Sequence, residues 1–182
     1  LMKKKIIILI AVRLKSERLK EKELLNILNQ PMILFLVERL KRSQLVSDIY
    51  LCTSTNKQAD EISTLAEKKK IKYFRGEELD VMSRFLEVSK LENADILIRV
   101  TGDNPLTDPI IMDQMIKSHI TNKAEYTFTE DIPHGTRSEV IDRKAMMKCH
   151  KLIEDKNSTE YMSLMFNRPD FFKINKFQVT SE

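Results

Sequence analysis

From Ile6 to Val12 the chain is an unbroken run of β-branched and aliphatic residues. A strand with one face in water alternates apolar and polar positions. A run that is apolar at every position suits a strand covered on both faces, as in a parallel sheet between helical layers. The run is far too short to span a bilayer, and so is the second apolar stretch, Met32 to Val37. Three lysines precede the first run but no small-residue cleavage site comes after it, so it reads as a first strand and not as a secretory signal.

Beyond this strand the chain alternates between helical and extended patterns. After a charged stretch from Arg13 to Glu23, Pro31 opens a helical pattern that runs to Ser43, with Ile33, Leu34, Val37 and Leu40 on one stripe. Asp48 to Cys52 reads as a second strand, Thr53 to Asn56 as a loop, and Lys57 to Lys68 as a helix. Ile71 to Phe74 is a third strand with a turn at Gly76, and Asp80 caps a helix reaching Leu91. Asp95 to Thr101 is a fourth strand, broken by Gly102-Asp103-Asn104-Pro105, and Pro109 starts a helix to Ile120. Beyond residue 121 the pattern loosens. Strands are expected at Ala124 to Phe128, Ser138 to Ile141 and Phe171 to Val179, with helices at Arg143 to Ile153 and Ser158 to Asn167. Four strand–helix repeats joined by short connections predict an α/β fold with a mostly parallel sheet and helices on both faces. The 182 residues suffice for one such domain, with a nucleotide-binding half over 1–120 and an acceptor half over 121–182 that is expected to be shortened at its C-terminal end.

Composition excludes more than it selects. The net charge of +4 serves phosphate binding as readily as nucleic acid, and the basic loop lacks the interleaved aromatics of a nucleic-acid surface. Cys52 and Cys149 give neither a disulfide framework nor zinc spacing, which suits a reducing cytoplasm. Three glycines in the whole chain leave no room for a dinucleotide fingerprint, and no Walker A pattern occurs. His119, His134 and His150 are scattered, and Ser16 has no partners that would make a catalytic triad. His134 lies in the Pro133-His134-Gly135 turn and reads as a plain turn residue before it reads as a contact at the substrate rim.

Ligands of such sheets bind beyond the carboxyl ends of the strands, which brings three segments to one rim. The first reads R-x-x-S-x-R-L-x-x-K: Arg13, Ser16, Arg18, Leu19 and Lys22. Its cations and hydroxyl are donors suited to a triphosphate, although a solvated basic loop would read the same way. The second is Arg99 to Leu106. There Asp103, after a glycine at the end of a buried strand, is a candidate Mg²⁺ ligand or else the cap of its turn. Asp108 before Pro109 reads as a helix cap. The third, Thr53, Ser54, Thr55 and Asn56, either reads the edge of a base or caps the next helix.

Taken together, Arg13 to Lys22, Cys52 to Asn56, Phe74-Arg75-Gly76 with Asp80-Val81, and Ala94 to Pro109 (ADILIRVTGDNPLTDP) resemble the cytidylyltransferase family of the spore coat polysaccharide SpsF type. That family is related to the CMP-KDO and CMP-sialate synthetases. The resemblance implies a three-layer α/β/α, GT-A-like nucleotide-diphospho-sugar transferase fold of Rossmann-like design. It implies an Mg²⁺-dependent nucleotidyltransferase that takes CTP and a sugar, releases pyrophosphate and serves surface polysaccharide synthesis. It also implies a homodimer, which the family often forms. Arg13, Ser16, Arg18 and Lys22 would hold the triphosphate. Thr53 to Asn56 and Asp80 would lie near the base, with Arg99 and Gly102 in the nucleotide site. Asp103 would hold Mg²⁺, with Glu139 a candidate for the second metal carboxylate. Catalysis would rest on Arg13, Lys22 and Asp103.

The chain departs from the family pattern at several points. Lys15 stands where the family carries glycine, and Lys20-Glu21 where it carries Pro-Gly. In Pro133-His134-Gly135-Thr136-Arg137-Ser138-Glu139-Val140, Arg137 replaces the usual aspartate two residues before the glutamate. Thr159-Glu160-Tyr161-Met162 replaces the later Glu-His-Val-Thr. These losses also allow a second reading, a degenerate nucleotide-binding module of a larger polysaccharide-synthesis protein.

Overall fold

The computed structural model describes residues 4–12, 22–159 and 161–179. The apolar run forms β1 (Ile6–Ala11), buried along almost its whole length. The chain then makes a 3₁₀ turn at Lys22–Leu24 and a small hairpin, β2 (Asn26–Ile27) and β3 (Gln30–Pro31). Next come α1 (Met32–Leu40), β4 (Asp48–Ser54), α2 (Asp60–Lys68), β5 (Lys72–Gly76), α3 (Val81–Leu91), β6 (Ile96–Thr101) and α4 (Pro109–Thr121). The second half contributes β7 (Tyr126–Phe128), β8 (Glu139–Asp142), α5 (Arg143–Leu152), α6 (Met162–Phe166) and β9 (Ile174–Lys176).

Seven strands form one sheet in the order β5-β4-β1-β6-β8-β7-β9. β1 is parallel to β4 and β6, and β4 to β5. β8 runs antiparallel to both β6 and β7, while β9 is parallel to β7. The sheet is therefore mostly parallel with one reversed strand, and the expected α/β/α architecture is the one observed.

Strand alternation divides the core in two. Ile6, Ile8, Ile10 and Val12 face a cluster built by α1, α2 and α4, including Ile33, Leu36, Leu40, Ile62, Met112 and Ile116. Ile7 and Leu9 face the other layer, where α3, α5 and α6 supply Phe85, Val88, Met146, Met162 and Phe166. This is why β1 has no polar position: both of its faces are inside. Burying a side chain of this size contributes about 1.5–3 kcal/mol, so β1 and its neighbours are the main apolar source of stability in the fold.

Three expectations need correction. Thr53 and Ser54 belong to β4 and are buried; β5 reaches Gly76 and pairs it with Ser54, so the strand end lies two residues later than the apolar pattern suggests. The helix expected over Ser158 to Asn167 shrinks to a 3₁₀ turn at Lys156–Ser158 and the five residues of α6. The final strand is three residues long, and Phe172 before it packs its ring on Phe166. The β2–β3 hairpin has no counterpart in the sequence pattern; its turn holds Leu28 and Asn29 at φ 49° and 64°. Both cysteines are free and buried, with burial pushing the thiols up to about 12 for Cys52 and about 11 for Cys149. No helix among the described residues is long and apolar enough to cross a membrane.

Candidate active site

The register puts the carboxyl ends of the central strands side by side. Ala11 of β1 is level with Cys52 of β4 and with Thr101 of β6. The chain leaves β6 in a tight turn, with Asn104 N–H donating to Thr101 O at 3.0 Å. Gly102 N–H donates to Ala11 O at 2.8 Å. A β-carbon on Gly102 would stand 3.2 Å from that carbonyl and 3.3 Å from Val12 Cγ2, so glycine is what lets the turn lie against β1. Asp103 is the residue this turn presents.

Asp103 is paired. Lys22 Nζ lies 2.6 Å from its Oδ2, and both side chains are about one-third exposed, at 30% and 39%. Burial works to raise the Asp103 carboxyl, but the Lys22 ammonium and a hydrogen bond with Thr101 outweigh it and hold the group below the usual carboxylate range. The structure thus joins two of the three residues expected to carry catalysis. Arg13, Ser16 and Arg18 lie outside the described residues. Asp108 does what its place before Pro109 predicts: its Oδ1 accepts from Ile110 N at 2.8 Å and Ile111 N at 3.1 Å and caps α4.

The base-side segment is built differently from expectation. Thr53 is fully buried and its hydroxyl has no hydrogen-bond partner among the described residues. Only Thr55 and Asn56 of that segment stand beyond the strand. They are held by Arg75, which donates to Ser54 O and Asn56 O at 3.0 Å each and pairs with Asp60 at 2.7 Å. Asn56 also bonds Glu78. Asp80 caps α3 through Ser83 N at 3.0 Å, but its carboxylate does more than that. Thr159 Oγ1 donates to Oδ1 at 2.9 Å, and His150 Nε2 sits 2.7 Å from Oδ2. Asp80 therefore ties the start of α3 to α5 and to the segment before α6.

Arg99 and Glu139, expected at nucleotide and metal, face one another across β6 and β8. Arg99 pairs with one Glu139 oxygen, and the buried Tyr126 hydroxyl donates to the other. Glu139 is 7% exposed, and its carboxylate serves an internal ion pair. Among the described residues no group of three or more His, Cys, Asp or Glu gathers as a metal cage. A single exposed carboxylate still fits Mg²⁺, which takes one or two carboxylates and completes its shell with substrate phosphates and water. Asp103 meets that condition, while the Glu139 carboxylate is engaged by Arg99 and Tyr126.

Sequence reasoning assigned no role to Arg75, Arg84 or His150. Arg84 is the largest of the fully buried side chains, at 1% exposure, and its stem lies against Gly76, where a β-carbon would meet Arg84 Cγ at 3.0 Å. A cation on the stripe of Val81, Met82, Phe85 and Val88 is the signal that points to it. His119, by contrast, is a core residue, bonded through Nδ1 to Thr127 Oγ1 at 2.8 Å.

Residues 7–180 match the family model described as Cytidylyltransferase. The chain is 27% identical over 175 residues to the spore coat polysaccharide biosynthesis protein SpsF of Bacillus subtilis, spanning 93% of this chain and 73% of that one. Among solved structures it is similar to a cytidylyltransferase from Leptospira borgpetersenii, with a TM-score of 0.85 at 25% identity over 97% of this chain and 76% of the other. It shares its fold with CMP:2-keto-3-deoxy-manno-octonic acid synthetase complexed with CTP, with a TM-score of 0.75 at 17% identity over 97% and 90% of the two chains.

Proposed function

The chain belongs to the cytidylyltransferase family, and from that premise we propose that it transfers CMP from CTP to a sugar, releasing pyrophosphate, in the synthesis of a surface polysaccharide or glycan. One observation carries this reading beyond the family: a lysine and an aspartate, Lys22 and Asp103, meet at the rim where the central strands end. A cation for phosphate and a hard carboxylate for a cation are the two groups that transfer of a nucleotidyl group needs from a protein.

In the proposed reaction an acceptor oxygen attacks the α-phosphorus in line, and the bond to the bridging oxygen breaks. The electron pair leaves on pyrophosphate. Mg²⁺ bound with the triphosphate supplies a Lewis acid that offsets charge on the phosphate oxygens. Asp103 would hold it. Lys22 would exchange Asp103 for phosphate oxygens and, with Arg13 and Arg18, stabilise the leaving pyrophosphate. Little covalent work falls to the side chains; orientation and preorganised charge supply the rate. The CTP complex of the CMP-sugar synthetase with the same fold supports the choice of nucleotide.

The test is thermal stabilisation by each nucleoside triphosphate, with and without Mg²⁺, and then pyrophosphate release with a sugar panel. A ligand bound only by the folded state raises stability by about 2.7 kcal/mol at a hundredfold excess over its dissociation constant. A Mg²⁺-dependent shift with CTP is the expected result. A shift without turnover on any sugar favours the degenerate binding module, for which the lost loop glycines at Lys15 and Lys20-Glu21 speak. No shift with any triphosphate overturns the proposal.

A further inference from the structure

The rim has a second cation, on the opposite side of β6 from the strand that leads to Lys22. β1 and β8 flank β6 in the sheet; Lys22 lies beyond β1 and Arg137 lies just before β8. The last pair of the β6–β8 ladder is Arg99 with Glu139. The ladder ends at that pair; Thr101 lies two residues beyond Arg99 and Arg137 two residues before Glu139, so both flank its rim end. Thr101 is the residue whose side chain hydrogen-bonds Asp103.

A second contact agrees with this placement. Gly135 adopts φ +82°, and a β-carbon there would stand 3.7 Å from Asn104 Oδ1. The loop that delivers Arg137 therefore lies on the same turn that presents Asp103.

The guanidinium is held in place by backbone carbonyls, with the Glu130 carboxylate near enough to feel its charge. Nε donates to Ile132 O at 3.4 Å, and Nη2 reaches Ile132 O and Glu130 O at 3.3 Å each. These acceptors are backbone carbonyls. The nearby Glu130 carboxylate is paired with Lys176 at 2.5 Å, and among the described residues no carboxylate forms an ion pair with Arg137. A guanidinium oriented by its own loop, with its other edge not engaged by those carbonyls, is suited to a carboxylate or phosphate.

We infer that Arg137 is a specificity residue that binds an anionic group, carboxylate or phosphate, on the sugar acceptor. The inference rests on the cytidylyltransferase reading above. An anionic acceptor must approach an anionic triphosphate, and a cation on the acceptor side of Asp103 offsets that repulsion. A sugar acid brings a hydroxyl as nucleophile and loses its proton to solvent as the oxygen–phosphorus bond forms and pyrophosphate leaves. A sugar 1-phosphate attacks through an oxygen that is already ionised, with the same leaving group.

The experiment measures pyrophosphate release from Mg²⁺–CTP with three acceptor groups: sugar acids such as N-acetylneuraminate and 2-keto-3-deoxy acids, hexose 1-phosphates, and neutral hexoses or N-acetylhexosamines. Wild type is compared with Arg137→Gln and Arg137→Lys. One anionic group is expected to turn over, which also decides between carboxylate and phosphate. Arg137→Gln should raise the KM for that acceptor roughly 10- to 100-fold, the loss of one charge-assisted contact, with the KM for CTP unchanged. Arg137→Lys should recover part of the loss. Turnover of neutral sugars, absence of turnover with any anionic one, or an equal rise in both KM values overturns the inference. Thermal stabilisation by Mg²⁺–CTP separates the two levels. If wild type and Arg137→Gln are both stabilised, a failed acceptor result counts against Arg137 alone; if wild type is not stabilised, the nucleotidyltransferase reading falls and this inference with it.

Discussion

Lys22 Nζ stands 2.6 Å from Asp103 Oδ2, so the cation expected to grip phosphate and the carboxylate expected to hold Mg²⁺ neutralise each other across the rim. The pair joins residues 81 positions apart and is partly open to solvent. An exposed ion pair of this kind contributes only about 0–1 kcal/mol to stability, so its value lies in what it poises. Asp103→Asn should therefore leave the melting temperature nearly unchanged while pyrophosphate release falls by about 10²–10³, the usual cost of one preorganised charged contact. Lys22→Met should also fold normally and should lose most of its thermal stabilisation by Mg²⁺–CTP. Calorimetry and a pyrophosphate assay on the same preparations check both; near-normal turnover in Asp103→Asn would remove the metal role from this residue.

Much of this arrangement is legible in the residues. A seven-residue apolar run suits a doubly covered strand, and β1 is one. Asp80 and Asp108 stand before helical stripes and cap α3 and α4. What is not legible depends on partners far along the chain. Glu139 looks like a rim carboxylate until Arg99, 40 residues earlier, closes on it from the neighbouring strand. Thr53 and Ser54 carry cap-type side chains, yet pairing with β5 keeps them in the sheet. The β2–β3 hairpin has two-residue strands and a Leu28-Asn29 turn, too short for any periodicity and without the glycine that usually marks such turns.

The Arg99–Glu139 pair makes a different prediction from the rim pair. Glu139 is 9% exposed at its side chain and Arg99 17%, so desolvation weighs on both charges. Glu139→Gln removes the carboxylate from a largely buried ion pair, at a cost of about 3–5 kcal/mol. The double variant Arg99→Met with Glu139→Leu should recover much of that loss, because an apolar pair of similar volume carries no buried charge. Urea unfolding of Arg99→Met, Glu139→Leu and the double variant completes the cycle. Equal destabilisation in the double variant would mean that the charged pair itself stabilises the sheet.

Asp80 and Asp108 are both helix caps, but only Asp80 is also a junction. Asp108→Ala should cost about 1 kcal/mol, the loss of one cap. Asp80→Ala should cost more, about 2 kcal/mol, because the bonds from Thr159 and His150 go with the cap. The excess should appear locally as faster amide exchange in residues 155–159 and at the end of α5. Equal losses for the two variants would reduce Asp80 to a simple cap.

The opposite rim carries the clearest pH signature. Glu92 accepts from Lys5, from Lys72 at 2.9 Å and from Tyr50 at 2.5 Å. These hydrogen bonds, from Lys5 first and then Tyr50 and Lys72, hold its carboxyl down at about 2, against an ordinary value of 4.5. The folded value lies below the unfolded one, so the unfolded chain binds the proton more readily and stability falls as pH falls. The contribution is complete above about pH 4.5 and is lost progressively toward pH 2. Burial, and after it the bond to Glu92, pushes the Tyr50 hydroxyl up to about 12, so that group stays protonated across the same range. Melting temperature measured from pH 7 to pH 2 should therefore drop more steeply in wild type than in Glu92→Gln, with the curves converging at the acid end. Because Glu92 comes just after α3 and Lys5 precedes β1, at the end of the sheet away from Asp103, Mg²⁺–CTP stabilisation at neutral pH should be the same in both proteins. Parallel melting curves would show that Glu92 keeps no proton linkage in the folded chain.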